Sequence, residues 1–249
     1  MSAIDDLIGR MESLLAPLVE TGDERRHFLA TYLRTTRAVR AEIARGGFVD
    51  GPWTERWDMA FAELYLDALE VWDATGDAPG PWSVAFSAAE AERVPPLRHL
   101  LLGMNAHINL DLPQALIAVI PDEGFDDPVL VGRRAADHEH IDAILASRVA
   151  AEDRELRTQE RPGDRTLLDH LLTPFNRAGS KRFLKEARGK VWRNARALSA
   201  ARRDDPDRLA ARIDELTELS RQRVADLRAP GQVILRLARD GFGVLLAGA

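Results

Sequence analysis

The segment Leu97–Ile120, LRHLLLGMNAHINLDLPQALIAVI, constrains the fold more than any other part of the chain. It is the most apolar long stretch, so neighbouring elements must cover most of its surface in the folded protein. It also carries five polar side chains: His99, Asn105, His107, Asn109 and Asp111. Because buried polar groups need hydrogen-bond partners, we predict that this segment is a buried central helix and the functional centre of the protein.

Helical geometry arranges these polar side chains in pairs. At about 100° per residue, His107 and Asp111 share one face of the helix, and Asn105 and Asn109 share another. Pro113 follows closely and cannot donate a backbone hydrogen bond, which predicts a kink or break at this point. A polar cluster beside a broken turn of an apolar helix is a suitable layout for a binding site.

The fold class follows from the periodicity of apolar residues. They recur at helical spacing along most of the chain, and no segment shows the sustained alternation of a β-strand. We therefore predict an all-α fold, with one domain over residues 1–249 and about eight to ten helices around the proline-kinked central helix. The alternative is a boundary near Arg161–Asp164, where the local net charge changes from negative to positive.

The predicted helix boundaries follow caps, glycines and prolines. Besides the central helix, helices are expected over about 4–19, 23–45, 53–75, 83–92, 136–156, 183–201 and 207–227, with another beginning near Thr166 and a last one ending in residues 241–249. In two of these, Asp23 and Asp137 are predicted as N-terminal caps. Residues Pro121–Arg134 form the longest irregular stretch and are predicted to be a loop that can act as a lid.

Composition narrows the cellular context. The chain has no cysteine, which excludes disulfides, thiolate metal sites and cysteine nucleophiles and suits a reducing compartment. Its N-terminal stretch is acidic where a secretory signal is basic, and no apolar run reaches the roughly 20 residues of a membrane span. We expect a cytoplasmic protein without a membrane span. The basic stretch Lys181–Arg203 is interrupted by Glu186, and no aromatic interleaving along it supplies a platform for stacked bases. We therefore interpret it as a solvated helix face rather than a nucleic-acid site.

His107 and Asp111 are the candidate catalytic residues. The pair can place an imidazole and a carboxylate on one metal ion, or make a general base oriented by a carboxylate. A site for a divalent metal such as zinc needs a third and a fourth ligand. His99 on the same helix is the first candidate, and the others are Asp137, His138, His140, Asp142 and Asp58 on two other helices. The alternative is a hydrogen-bonded pair that is satisfied inside the core.

Six further residues are candidate ligand-binding positions: Asn105, Asn109, Asp137, Asp142, Tyr65 and Asp58. The two asparagines either anchor a polar ligand or tie the central helix to neighbouring backbone. Asp137 and Asp142 belong to the run DHEHID, which the first turn of a helix also explains. Asp58 and Tyr65 lie at the edge of the buried stripe predicted for the third helix.

The run HLLLGMNAHINLDLPQAL, from His99 to Leu116, resembles the signature of an uncharacterised family of helical, mainly actinobacterial proteins. The stretches DHEHIDAIL and ARGKVWRNARAL are also similar to that family, which implies a helical fold but no mechanism. More distantly, the H-x-x-x-D pair resembles a core-helix motif of zinc-dependent phospholipase C and nuclease proteins. Only His107 and Asp111 match it, and the further histidines of those enzymes have no recognisable counterparts.

Two hypotheses for function follow. The first is an enzyme, such as a metal-dependent hydrolase, that acts on a small, partly apolar molecule beside Pro113. The second is a non-catalytic helical module that binds a ligand or a partner protein. Both are compatible with a homo-oligomer.

Overall fold

The computed structural model describes residues 2–91, 96–159, 177–229 and 239–249. The helices are α1 (Ala3–Thr21), α2 (Arg26–Ala44), α3 (Gly51–Thr75), α4 (Gly80–Ala91), α5 (Pro96–Ala106), a π-helical turn (His107–Asp111), α6 (Leu112–Val119), a 3-10 turn (Asp122–Asp126), α7 (Pro128–Gln159), α8 (Arg177–Asp204) and α9 (Pro206–Arg228). The described ranges contain no strand, and the prediction of an all-α helical bundle is confirmed.

Local signals explain several of the helix ends. Asp50 caps α3 by accepting from the backbone N–H of Trp53 at 3.0 Å. Gly22 and Gly76 follow α1 and α3 with φ of 72°, the left-handed conformation that glycine adopts without a steric penalty. Asp23 is not the N-cap of α2 as predicted, because that position belongs to Arg25.

The central helix is formed by α5, the π turn and α6, which follow one another without a break. Every residue from His99 to Pro113 is buried in contacts with surrounding helices. Near Pro113 the helix does not break but widens, since the N–H of Leu112 bonds to the carbonyl of His107, five residues earlier. The side-chain amide of Gln114 donates to the carbonyl of Leu110 at 2.9 Å.

The predicted irregular lid over Pro121–Arg134 is wrong. The stretch contains the 3-10 turn and the start of α7, which begins at Pro128. Asp127 explains this start, because its carboxylate accepts from the N–H groups of Val129 at 2.8 Å and Leu130 at 3.2 Å. Asp137 consequently lies inside α7 and is not its N-cap.

The described C-terminal end, residues 241–249, is not helical as predicted but irregular, and it is docked against the helices. Its side chains Phe242, Val244 and Leu246 are buried. Most of its backbone hydrogen bonds go to side chains: the carboxylate of Glu186 accepts from Phe242 and Gly243, and the amide of Asn194 bonds to Val244 and Leu246. Amide and carboxylate groups thus replace the partners that a helix or sheet would supply.

Many basic side chains of α8 are paired with acidic ones. Arg188 contacts Asp142 at 2.9 Å, and Arg202 contacts Asp122 at 2.6 Å.

No helix within the described ranges is long and apolar enough to cross a bilayer. The predicted boundary at 161–164 and the helix near Thr166 lie outside the described residues, so the single domain stays a prediction.

Candidate functional site

Two buried side chains of the π turn form a hydrogen-bonded pair. His107 Nδ1 lies 2.8 Å from Asp111 Oδ2, and the indole N–H of Trp82, on α4, donates to the same oxygen at 2.9 Å. Because an indole nitrogen can only donate, Oδ2 acts as an acceptor. With Nδ1 donating to this oxygen, the other ring nitrogen of His107, Nε2, keeps a free lone pair. Nε2 has no hydrogen-bond partner among the described residues.

Burial perturbs the acidity of both members of the pair. It lowers the pKa of His107 and raises the pKa of Asp111, and the hydrogen bond between the two opposes both shifts. The imidazole is therefore neutral at neutral pH and has an acceptor available at Nε2.

Aromatic rings hold the imidazole in place. The ring of Phe61, on α3, stacks on His107 with centroids 3.5 Å apart and planes 7° apart. The rings of Tyr32 and Phe28, on α2, meet it edge to face at centroid distances of 4.8 and 5.8 Å. A ring packed in this way has little freedom to turn, which fixes the direction of Nε2.

His107 lines a pocket with mostly apolar walls between the central helix and four other helices. The lining residues are Phe28, Thr31, Tyr32 and Thr35 from α2, Trp57, Asp58 and Phe61 from α3, Leu100 and Met104 from α5, His107 and Ile108 from the π turn, Leu112 from α6, His138, Ile141, Asp142 and Leu145 from α7, and Leu184 and Arg188 from α8. Its volume of about 60 Å³ is less than half of the roughly 150 Å³ of an apolar cavity that binds benzene. The pocket therefore suits a small molecule or the small end of a larger one.

Two further carboxyl groups that the sequence singled out line the same pocket. Asp58 is 5% exposed, its Oδ2 has no hydrogen-bond partner among the described residues, and burial raises its pKa to about 7. Asp142 lies at the more accessible side beside Arg188, and burial, opposed by that guanidinium, raises its pKa to about 7 as well. The fold thus brings together His107, Asp58 and Asp142 from three separate elements.

Tyr32 is a pocket residue that the sequence interpretation missed. Its hydroxyl is buried and has no partner within the described ranges. Burial raises the pKa of the phenol, and the nearby carboxylates of Asp58 and Asp111 raise it further. The feature of the sequence that could have pointed to Tyr32 is the rarity of tyrosine, since the chain has only two. The other, Tyr65, is buried against Phe28 and does not line the pocket.

His138 also lines the pocket but is already engaged. Its Nδ1 accepts from the indole N–H of Trp192 at 3.1 Å, and its Nε2 lies 3.7 Å from Asp142 Oδ1. Burial lowers the pKa of His138 to about 3, and the positive charge of Arg188 contributes. The side chain is therefore a neutral wall of the pocket at neutral pH.

Asn105 and Asn109 lie on the face of the central helix that meets the C-terminal segment. Both side-chain amides donate to the carbonyl of Phe242, at 2.9 and 3.1 Å. Asn109 Oδ1 also accepts from the N–H of Val244 at 2.9 Å. Neither residue lines the pocket, and their contacts match the tie to neighbouring backbone that was one of the two expectations.

Asp137 and His99 are also placed away from the pocket. The carboxylate of Asp137 accepts from the backbone N–H groups of Val49 at 2.7 Å and Asp50 at 3.0 Å, just before α3. His99 Nε2 lies 4.0 Å from Glu24 Oε2. Asp137 therefore holds α7 against the start of α3.

The three residues predicted to bind a metal do not form a cluster. Within the described parts of the chain, no group of three or more His, Asp or Glu side chains is arranged to hold a metal ion. Asp111 Oδ2 is instead occupied by His107 and Trp82, while His99 lies beside Glu24.

The fold and the site define an all-α protein with a His–Asp pair buried in its central helix beside a small pocket. Residues 4–230 match the model described as "Family of unknown function (DUF5995)", and the chain belongs to this family. The expected membership of an uncharacterised helical family is confirmed. No curated protein and no solved structure gave a significant match, and the likeness to zinc-dependent phospholipase C proteins rests on His107 and Asp111 alone.

Proposed function

We propose that the protein is an enzyme that binds a small, partly apolar molecule in the pocket, with His107 as its general base. The observation that carries this proposal is the unpartnered Nε2 of a buried imidazole whose Nδ1 is bonded to Asp111. A core histidine without a function ordinarily has both ring nitrogens satisfied, because an unpaired buried polar atom costs about 1–3 kcal/mol. A ligand that donates a hydrogen bond to Nε2 removes this cost.

The chemistry follows from the pair. Nε2 accepts a proton from a water molecule or a substrate hydroxyl, and Asp111 stabilises the imidazolium that forms. Trp82 holds the carboxylate in position through its own hydrogen bond to Oδ2. Hydrolysis of a small ester needs only such a base and a water molecule, which makes a hydrolase the simplest form of the proposal.

The test compares His107→Gln with a matched control, His140→Gln. Glutamine removes the base, and His140 is a partly exposed histidine on α7 whose side chain is 43% accessible. Hydrolysis of ethyl acetate, ethyl propionate and N-ethylacetamide is followed in a pH-stat. We expect turnover by the wild type and by the control, and a loss of about 10²–10⁴-fold in His107→Gln. Lack of turnover by the wild type, or full turnover by His107→Gln, overturns the enzymatic proposal.

The second candidate function is a non-catalytic helical module that binds a ligand or a partner protein. The contacts of Asn105 and Asn109 favour it, because these polar groups of the central helix serve to fasten the C-terminal segment. This hypothesis predicts ligand binding without turnover.

Several expectations from the sequence stay predictions: a cytoplasmic location, the lack of a nucleic-acid partner, and assembly into a homo-oligomer. The expectation of a divalent metal such as zinc also stays open to test. Elemental analysis of the purified protein addresses the metal directly, and a stoichiometric metal that is lost in Asp111→Ala would locate it at the pair.

A further inference from the structure

Asp58 differs from the other buried aspartates of the described chain in lacking a donor. Asp111 Oδ2 has His107 and Trp82, and Asp137 accepts from two backbone N–H groups. No hydrogen bond or ion pair reaches Asp58 Oδ2 from the described residues, although Asp58 is only 5% exposed. An unpaired buried carboxylate is costly, so a ligand that offers Asp58 a charged donor would gain binding free energy from it.

Two more acceptor atoms in the pocket are unoccupied. His107 Nε2 and the hydroxyl oxygen of Tyr32 are both buried and without partners among the described residues. Their rings are 4.8 Å apart, and the charge of Asp58 acts on the Tyr32 phenol. Three residues with unpartnered acceptor atoms, from three elements, therefore line one small space. An ammonium group has three N–H donors.

The walls and the charges favour a cation over an anion. Phe28, Phe61 and Trp57 line the pocket, and their rings supply apolar surface for the alkyl chain of an organic cation. The guanidinium of Arg188, a basic group among the lining residues, is 2.9 Å from Asp142 and 3.3 Å from Glu139 and is therefore already paired with two acidic side chains. An anionic ligand would instead meet the carboxylate of Asp58 without a balancing charge.

We propose that the pocket binds the ammonium group of a small primary amine, with Asp58 as its counter-ion. This inference rests on the part of the proposed function that makes the pocket a ligand site. The volume of about 60 Å³ limits the buried part to the ammonium group and a short alkyl chain. The Tyr32 hydroxyl accepts a second N–H donor, and His107 Nε2 accepts the third when no water molecule or substrate hydroxyl is bonded to it.

The test uses three probes of equal size: n-propylammonium chloride, 1-propanol and sodium propionate. Binding to the full chain is measured at pH 8 and constant ionic strength by the shift of the Trp57 indole N–H resonance. The Trp72 indole, which donates to Glu90 at 2.8 Å, is the internal reference. We expect n-propylammonium to bind at least about tenfold more tightly than either other probe, as a charge-assisted hydrogen bond predicts.

The variants Asp58→Asn and Glu63→Gln distinguish the effect of the counter-ion in the pocket from the effect of negative charge elsewhere on α3. Asparagine keeps the size of Asp58 and removes its charge, whereas Glu63 is an exposed carboxylate on the same helix. Asp58→Asn should lose the preference for n-propylammonium by about tenfold, and Glu63→Gln should keep it. Equal binding of all three probes, no binding of n-propylammonium, or an unchanged preference in Asp58→Asn overturns the inference.

The outcomes distinguish this inference from the enzymatic proposal. If hydrolysis depends on His107 but n-propylammonium is not preferred, His107 is a general base and the pocket is not an amine site. If the preference for n-propylammonium depends on Asp58 but no substrate is hydrolysed, the pocket is an amine site and His107 has no catalytic role.

Discussion

His107 Nδ1 and Asp111 Oδ2 are 2.8 Å apart, and both residues belong to the π turn of the central helix. Turns of this kind insert an extra residue into a helix and frequently occur at functional sites. Here the turn lies at the point where Pro113 interrupts backbone donation, and it carries the pair whose histidine lines the pocket. The same five residues thus form the irregular turn of the helix and contain the two candidate catalytic residues.

Asp111→Asn should change the tautomer of His107. An asparagine side chain can present an N–H to Nδ1, in which case the ring proton moves to Nε2 and the base is lost. We expect ¹⁵N shifts of the imidazole to report protonation at Nε2, and any His107-dependent turnover to fall by about 10²–10⁴-fold. Glu63→Gln, at an exposed position of α3, is the control, because it leaves His107, Asp111 and Trp82 unchanged. An unchanged tautomer in Asp111→Asn would contradict the assignment of Asp111 as the orienting group.

Asn109→Ala should loosen the C-terminal segment. It removes the bonds to the Phe242 carbonyl and the Val244 N–H and leaves the latter unpaired in a buried position. We expect the free energy of unfolding to fall by about 2–4 kcal/mol, measured by urea denaturation, and the Val244 amide to exchange faster with solvent. Asn105→Ala serves as comparison because it loses one bond to Phe242 and keeps the bond to Val244. Unchanged exchange at Val244 would be evidence against this role.

Asp58→Asn should stabilise the protein, and increasingly so at higher pH. Burial raises the pKa of Asp58 from 3.8 to about 7, so between these values the folded state holds a proton that the unfolded state has lost. The contribution of Asp58 to stability therefore falls as pH rises through this window and is constant above it. The stability difference between Asp58→Asn and wild type should grow by about 3 kcal/mol from pH 5 to pH 8, since about two of the roughly three pKa units of the shift lie within this pH range.

The difference in stability between Asp58→Asn and the wild type reports the titration of Asp58 alone. The other ionisable groups that line the pocket are unchanged between them: Tyr32, His107, His138, Asp142 and Arg188. Asp111, bonded to His107, is also common to both. Urea denaturation at each pH provides the measurement, and a difference that does not vary with pH would show that Asp58 does not titrate in this window.

Asp137→Asn should weaken the contact between α7 and the start of α3. The amide offers a single oxygen where the carboxylate accepts from two backbone N–H groups, so one buried donor loses its partner. We expect a loss of about 1–3 kcal/mol, seen as a lower Tm. Asp127→Asn at the exposed N-cap of α7 is the control and should cost less, since asparagine also caps helices well. Equal losses in the two variants would argue against a special role for Asp137.

Local spacing predicted the elements well where a cap or a glycine marks the end of a helix. The prediction of α3 agrees closely with the observed bounds Gly51–Thr75, since Asp50 and Gly76 mark its two ends. The start of α7 was placed too late because Asp127–Pro128, itself an N-cap followed by a proline, was taken as part of a loop. Residues 241–249 were assigned to a helix, although their backbone partners are side chains from distant parts of the chain.

The sequence alone determined the buried central helix and the contact between His107 and Asp111, because helical spacing and apolarity act over a few residues. Only the tertiary structure decided which polar groups are left without partners. Asn109 finds the backbone of Val244 far along the chain, whereas Asp58 and His107 Nε2 find no donor among the described residues. Whether a polar group is satisfied depends on atoms that the fold brings to it from elsewhere in the chain, and no local pattern encodes those atoms.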